Sequence, residues 1–368
     1  MKIAQITWIT YPNFGTFLQA FALQYTLSKY NVDCYIIDDR IYANNQSYIR
    51  SLASKIFFSL RHRNLYLFDQ IKIERQYNNF KKKFIKIDNT WSTFSELNNK
   101  YSIFICGSDQ IWSPILPNHY DGFYFASFAS NSAKKIAYAP SLGSKTYREE
   151  FAELVRPWLD SFNALSAREE TGAHILSEIT GITDIPVVLD PTLLLTHSEW
   201  SEFERQNGNN PVKKKDAYLL AYFLTFNEKY LEKTREIANA KGLKLILINN
   251  ILGLSKYSDE IINCGPLEFL SALAGCNYFI TDSFHGSIFA LQLHKPFLTL
   301  KRFKDESYNS QNSRIENLFR LCDIKDNFLD ETSYSSLPIE PDWKRIEKLI
   351  SIERQKSLNY LKMALTLK

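Results

Sequence analysis

The chain has 368 residues with a net charge of +4, and 45% of them are hydrophobic and 23% charged. That balance excludes an intrinsically disordered chain, and the length suits two domains. Glycine, at 12 residues, is near half its usual share of roughly 7%, which argues against folds built on repeated glycine-rich loops.

The first forty residues read as strand, loop, helix, strand. KIAQITWIT is apolar and β-branched, Pro12 and Gly15 break it, and Leu18, Ala22, Leu23 and Leu27 recur at helical spacing. DCYIIDD is a second strand, so the opening favours a parallel α/β sheet. From Ser47 to Lys86 ten basic residues face only Asp69 and Glu74. This window carries +8 and leaves −4 for the rest, so the protein is not generally basic and no nucleic-acid partner is expected. The window reads as amphipathic helix with Phe57, Phe58, Tyr66, Phe68 and Phe84 interleaved. Basic residues near an anionic surface and interfacial aromatics suit peripheral membrane contact, while a solvated helix face accounts for the same pattern.

The α/β rhythm then returns through YSIFICGSDQIW, KKIAYAPSLGS, FNALSAREE and IPVVLDPTLLL, each read as strand-bearing. A polar stretch follows, with Gly208 and Pro211, and the expected division is an N-terminal domain over 1–200, a linker over 201–215 and a second domain over 216–345. In the second half DAYLLAYFL, LKLILIN, NYFITD and PFLTLK read as strands. EKYLEKTREIANAKG, PLEFLSALAGC and FHGSIFALQLHK read as the helices between them. A final helix, 346–368 in the domain plan, is expected to pack back on the first domain. The architecture expected is two Rossmann-like domains facing a cleft.

Cys34, Cys106, Cys264, Cys276 and Cys322 show no C-x-x-C spacing, which points to buried thiols rather than a disulfide or zinc framework. His62, His119, His174, His197 and His294 lack metal spacing, and no metal site is expected. The first residues lack the pattern of a secretory leader, and no run approaches the roughly 18 apolar residues of a membrane span. A cytoplasmic protein is expected, with the inner membrane face as its one candidate surface.

Three strand ends carry candidate chemistry. Thr281-Asp282-Ser283-Phe284-His285-Gly286 joins a strand to a helix, where free N–H groups favour an anion. A capping Asp282 or Ser283 with a surface histidine is the plainer alternative. Ser166-Ala167-Arg168-Glu169 offers a guanidinium suited to phosphate or carboxylate, or else a surface ion pair. Ser108, Asp109 and Gln110, with Asn13 and Gln19 at the first helix, are candidates for a hydroxylated ligand or for turn chemistry. Asn13-Phe14-Gly15-Thr16 has one glycine rather than a G-x-G-x-x-G fingerprint, so Asp38 and Asp39 read as turn residues and not cofactor ligands. Lys301, Arg302, Lys304 and Arg314 form a basic cluster after the last strand of the PFLTLK region.

In order and spacing, NFGTFLQAFALQ, GSDQIW with YFASFA, KKIAYAPSLG, LSAREE, VVLDPTLLL and ITDSFHGSIFALQLHKPF together resemble the polysaccharide pyruvyl transferase family over nearly the whole chain. The resemblance implies a fold like the GT-B glycosyltransferases. It also implies transfer of the enolpyruvyl carbons of phosphoenolpyruvate to two sugar hydroxyls, giving a pyruvate ketal and free phosphate with no cofactor. The family's histidine then matches His285, as acid/base or phosphate contact, and its arginine matches Arg168. Ser283, Gly286, Arg302, Lys304 and Arg314 fall on the donor side. Asn13, Gln19, Ser108, Asp109 and Gln110 fall on the side of a sugar acceptor, expected to be a lipid-linked oligosaccharide. Ser283 stands where many members carry an arginine, and Glu169 where aspartate is more usual. Two rival functions remain beside this one: a sugar-nucleotide glycosyltransferase on the same fold, and a non-catalytic carbohydrate-binding member.

Overall fold

A computed structural model describes residues 1–10, 12–39, 65–114, 122–213, 216–251, 254–304, 310–330 and 340–366. It divides into two compact units, Met1–Leu194 with Lys356–Lys368, and Leu195–Gln355.

Unit 1 is built on β1 (Lys2–Ile6), β2 (Asp33–Ile37), β3 (Ile87–Asp88), β4 (Ile103–Cys106) and β5 (Lys134–Ala137). They lie in the order β3-β2-β1-β4-β5, all parallel, with Ala4 of β1 opposite both Tyr35 and Phe104. Ile3, Ala4 and Ile6 have no exposed surface, as a parallel sheet covered on both faces requires. Helix α1 (Phe14–Ser28) starts where the Asn13 side chain accepts from Thr16 N at 3.3 Å. All its residues but Tyr25 and Ser28 are buried, so it reads as apolar nearly all round.

Of the basic window, the described part is α2 (Leu65–Phe84), while 47–64 lie outside the described residues. The aromatics divide. Tyr77, Phe80 and Phe84 pack against Phe14, Phe17 and Phe21 of α1, with ring centroids 4.9–6.4 Å apart. Phe68 and Ile71 are exposed. Part of the predicted interfacial pattern is therefore ordinary helix-on-helix core.

Helix α3 (Phe94–Lys100) precedes β4, and α4 (Glu149–Leu159) and α5 (Glu170–Thr180) follow β5. Beyond β5 the sheet continues only as single parallel bridges, Ile136 to Ala164 and Ala167 to Val187. Full strands are expected here from sequence. Instead Ser166 Oγ donates to Ala137 O at 2.7 Å and accepts from Ala139 N at 3.1 Å, taking ladder positions with a side chain. The 201–215 linker also shortens: α6 (His197–Asn207) fills its first half. Thr196 and Glu199 form a reciprocal cap and Trp200 is wholly buried, so the polarity of this stretch is that of a solvated helix face.

Unit 2 contains β6 (Tyr218–Tyr222), α7 (Glu228–Ala240), β7 (Lys244–Ile248), β8 (Glu260–Ile262), α8 (Pro266–Gly275), β9 (Tyr278–Thr281), α9 (Phe284–Gln292), β10 (Phe297–Leu300), α10 (Ser313–Cys322) and β11 (Phe328–Leu329). Its parallel sheet runs β11-β10-β9-β6-β7-β8. Counted from its own first strand, that is the doubly wound order 3-2-1-4-5-6, and unit 1 has the same order through its fifth strand. Helix α11 (Trp343–Leu365) runs across the division. Its last turns pack on unit 1: Ser357 Oγ accepts from Leu189 N at 2.9 Å, and Tyr360 Oη donates to Ala137 O at 2.7 Å.

Candidate active site

In a doubly wound sheet the strand order reverses between the first and fourth strands, and the loops diverge there to leave a crevice. In unit 2 this point lies between β6 and β9, and the TDSFHG segment occupies it. Thr281 Oγ1 donates to Tyr222 O at 2.7 Å and accepts from Ser283 N at 3.0 Å, stitching the two strand ends together. Asp282 turns the other way. Its carboxylate accepts from Leu224 N (2.7 Å), Thr225 N (3.3 Å) and Thr225 Oγ1 (3.0 Å) and so pins the loop after β6. Burial pushes its carboxyl up, opposed by these hydrogen bonds and by the charge of Arg302.

Ser283 caps α9, accepting from Gly286 N at 3.2 Å. Gly286 allows this close start: a Cβ there would lie 2.7 Å from Thr281 Oγ1. His285 is thereby held in the first turn of α9, buried, its ring edge-on to Phe284. The far end of α9 is anchored by the edge-to-face contact of Phe289 with Trp200 at 5.0 Å and by Gln292 Nε2 donating to Leu195 O at 3.0 Å.

Positive charge reaches this helix start from outside α9. Arg302, following β10, and Arg314, in the first turn of α10, both donate to Gln311 Oε1, at 3.1 and 2.6 Å. The Arg314 guanidinium also lies 5.4 Å from the centre of the Phe284 ring. Two cations thus share one neutral oxygen beside the N-terminus of α9. Lys304 is exposed and shows no such convergence. Gln311 was not legible as a site residue, since nothing in its own sequence surroundings signals that two arginines will meet there.

Arg168, expected from sequence to offer its guanidinium to a ligand or to form a surface ion pair, forms buried ion pairs. It is buried in unit 1, donates from Nη1 to Asp190 at 2.7 Å and lies 3.8 Å from Glu169. Asp190 in turn accepts from Thr192 N and Oγ1 and, at 3.4 Å, from Ser108 Oγ. Glu169 Oε1 accepts from Ser141 Oγ, Leu142 N and Gly143 N. The arginine is the hub of a network tying three strand-end loops.

The acceptor-side candidates come together at the reversal point of unit 1, between β1 and β4. Thr16 Oγ1 donates to Asp109 Oδ2 at 2.7 Å, Gln19 Nε2 to Thr7 Oγ1 at 3.0 Å, and Thr7 Oγ1 to Ser108 O at 3.2 Å. Gly107 is required at the start of this loop, because at φ +125° a Cβ would fall 2.1 Å from Tyr138 O. Asp109 is left-handed at φ +68°. Gln19, Ser108 and Asp109 are buried and Asn13 caps α1; Gln19 donates to Thr7 and Thr16, Ser108 to Ala139 and Asp190, and Asp109 accepts from Thr16 and Gln110. Gln110 is half-buried, and its Nε2 has no hydrogen-bond partner among the described residues.

All five cysteines are buried. Among the described residues no three His, Cys, Asp or Glu side chains are placed to hold a metal ion, and no helix is long and apolar enough to cross a membrane.

Among solved structures, the chain resembles S. aureus MnaA in complex with UDP, at 13% identity and a TM-score of 0.51, over 100% of this chain and 97% of that one. It also resembles UDP-GlcNAc 2-epimerase from Neisseria meningitidis bound to UDP-GlcNAc (14%, TM-score 0.49, 97% and 100%) and E. coli heptosyltransferase WaaC with ADP (13%, 0.42, 96% and 100%). At such identity the likeness concerns the fold, which is GT-B-like with two Rossmann-like domains. No curated protein sequence matches. The sequence profile of the polysaccharide pyruvyl transferases matches residues 13–302, and with the two doubly wound units and the histidine-bearing helix start this makes the chain a member of the polysaccharide pyruvyl transferase family.

Proposed function

We propose that the protein moves the pyruvyl group of phosphoenolpyruvate onto two hydroxyls of a sugar in a bacterial surface polysaccharide or its lipid-linked precursor. The products are a cyclic pyruvate ketal and free phosphate. The observation that carries this reading is the convergence of Arg302 and Arg314 on Gln311 beside the start of α9, where His285 sits. A donor with a phosphate and a carboxylate needs cationic hydrogen-bond donors, and arginine presents them in a planar fork. Arg314 supplies the charge that Ser283 does not. Ser283 and Gly286 contribute the helix start itself, whose free N–H groups favour an anion.

His285 is the proton carrier in this reading. The methylene carbon of the donor takes a proton and the adjacent carbon becomes oxocarbenium-like; one sugar hydroxyl adds to it with loss of its proton, phosphate leaves, and the second hydroxyl adds with loss of its proton to close the ketal. An imidazole exchanges protons near neutrality, which suits that step. Arg168 enters as a positioning residue whose charge is shared with Asp190 and Glu169. On the membrane side, Lys81, Lys82 and Lys83 in the last turns of α2, with exposed Phe68 and Ile71, are the candidate contact for a lipid-linked acceptor.

The test is incubation with phosphoenolpyruvate and a panel of lipid-linked or aryl galactosides, glucosaminides and mannosaminides, reading released phosphate and a mass gain on the sugar. Phosphate released only when both substrates are present is the expected result. Inertness toward phosphoenolpyruvate together with consumption of a nucleotide sugar would replace this reading with a glycosyltransferase.

A further inference from the structure

We propose that Asp39, with the rings of Trp8 and Tyr124, forms a saccharide-binding subsite at the carboxyl end of the unit 1 sheet, where its carboxylate accepts a hydrogen bond from a sugar hydroxyl. Its role as the acceptor site rests on the transferase reading above. Its existence as a sugar site does not.

Three strand-end segments meet at this place. Asp38 and Asp39 follow β2, Trp8 and Thr10 follow β1, and Tyr124 lies on the 3₁₀ turn Phe123–Phe125 that comes after β4. Tyr124 Oη donates to Asp39 Oδ2 at 2.9 Å, and its ring is edge-on to Trp8 at 6.2 Å. Asp39 is 4% exposed, and its second oxygen, Oδ1, has no hydrogen-bond partner among the described residues. A buried carboxylate oxygen left unsatisfied is costly, and ordinary packing would have removed it. Thr10, an exposed residue, contacts Asp39 Oδ2 through its hydroxyl at only 3.4 Å, a bond that a ligand hydroxyl would better.

Charge selects the ligand. Asp38 is the neighbouring carboxylate, and among the described residues Lys81 of α2 is a cation whose field reaches Asp39. A pair of carboxylates repels phosphate and carboxylate, so a donor-type anion is disfavoured here. Aromatic rings with carboxylate acceptors suit a neutral, hydroxyl-rich ligand with apolar faces, which is the chemistry of a saccharide. Burial raises the Asp39 carboxyl to about 6, so it is ionised and a pure acceptor at neutral pH.

The experiment titrates the full-length protein with p-nitrophenyl glycosides of galactose, N-acetylglucosamine and N-acetylmannosamine, by saturation-transfer NMR, alongside phosphoenolpyruvate by calorimetry. The parent is expected to bind at least one glycoside, and Asp39→Asn to weaken that binding roughly tenfold to a hundredfold, as loss of a charged acceptor does. Phosphoenolpyruvate affinity is expected to stay unchanged. Parent binding should weaken below about pH 6 and binding by Asp39→Asn should not. Tyr124→Phe and Trp8→Phe give the same reading with smaller changes and decide the matter if Asp39→Asn does not fold. Failure of the parent to bind any of the glycosides, or unchanged affinity in the variants that fold, overturns the subsite. Asp39-dependent binding without any phosphate release would keep the subsite and remove the transferase reading.

Discussion

The two units share one strand order and differ in what stands at the strand ends. In unit 2 the reversal point carries a helix start, His285 and two arginines on one neutral amide. In unit 1 the same region carries carboxylates, amides and hydroxyls bonded to one another, flanked by Trp8, Asp39 and Tyr124. Topology fixes where a ligand can sit, and the side chains there fix its charge. On the proposals above, one unit takes an anion and the other a neutral polyol.

The comparison can be broken first at His285. His285→Asn keeps polarity and similar size but cannot exchange a proton near neutrality. Transfer is expected to fall roughly 10²–10⁴-fold with the melting temperature unchanged. Near-parent turnover would remove the histidine from the chemistry, and loss of folding would mark it as a packing residue.

Arg168 tests whether unit 1 is organised by internal ion pairs. Arg168→Ala leaves two buried carboxylates without their cation and is expected to cost about 3–5 kcal/mol of stability, read by denaturant unfolding. A folded variant of parent stability with weakened phosphoenolpyruvate binding would instead return Arg168 to the donor.

Arg314→Gln should leave stability nearly intact and weaken phosphoenolpyruvate binding by about 1.5–3 kcal/mol, seen in KM more than in kcat. No change in donor affinity would detach the arginine pair from the anion site.

Asp39 gives the smallest and most diagnostic effect. Its carboxyl is raised from 3.8 to about 6 by burial. Between about pH 4 and 6 the folded protein therefore holds a proton that the unfolded chain releases, and the group's contribution to stability falls as pH rises through that window. Asp39→Asn should be more stable than the parent by about 1–3 kcal/mol at pH 7.5 and no more stable at pH 4. A residue whose removal stabilises the fold while weakening glycoside binding is kept for function. Equal gains at both pH values would show that desolvation of the charge is not the cause.

Much of this was legible in the chain itself. β1, β6, β7, β9 and β10 are short apolar runs, and their composition names them as buried parallel strands. The Ser283 cap and the TDSFHG junction were visible because capping and strand-to-helix transitions are local events. β3, β8 and β11 were not visible: two or three residues long, they become strands only because a neighbour supplies the ladder. α6 hid inside a polar stretch because a single buried tryptophan, not a periodic stripe, holds it. The sequence could show a basic cluster near Arg302 and Arg314 but not their meeting at Gln311, nor that Arg168 would face Asp190 across 22 positions. Asp39 read as a turn residue until Tyr124, 85 positions away, closed over one of its oxygens. Local propensity is written in neighbouring residues. The partner of a charge, and whether it meets water, is decided by which distant loops the sheet order brings to the same strand ends.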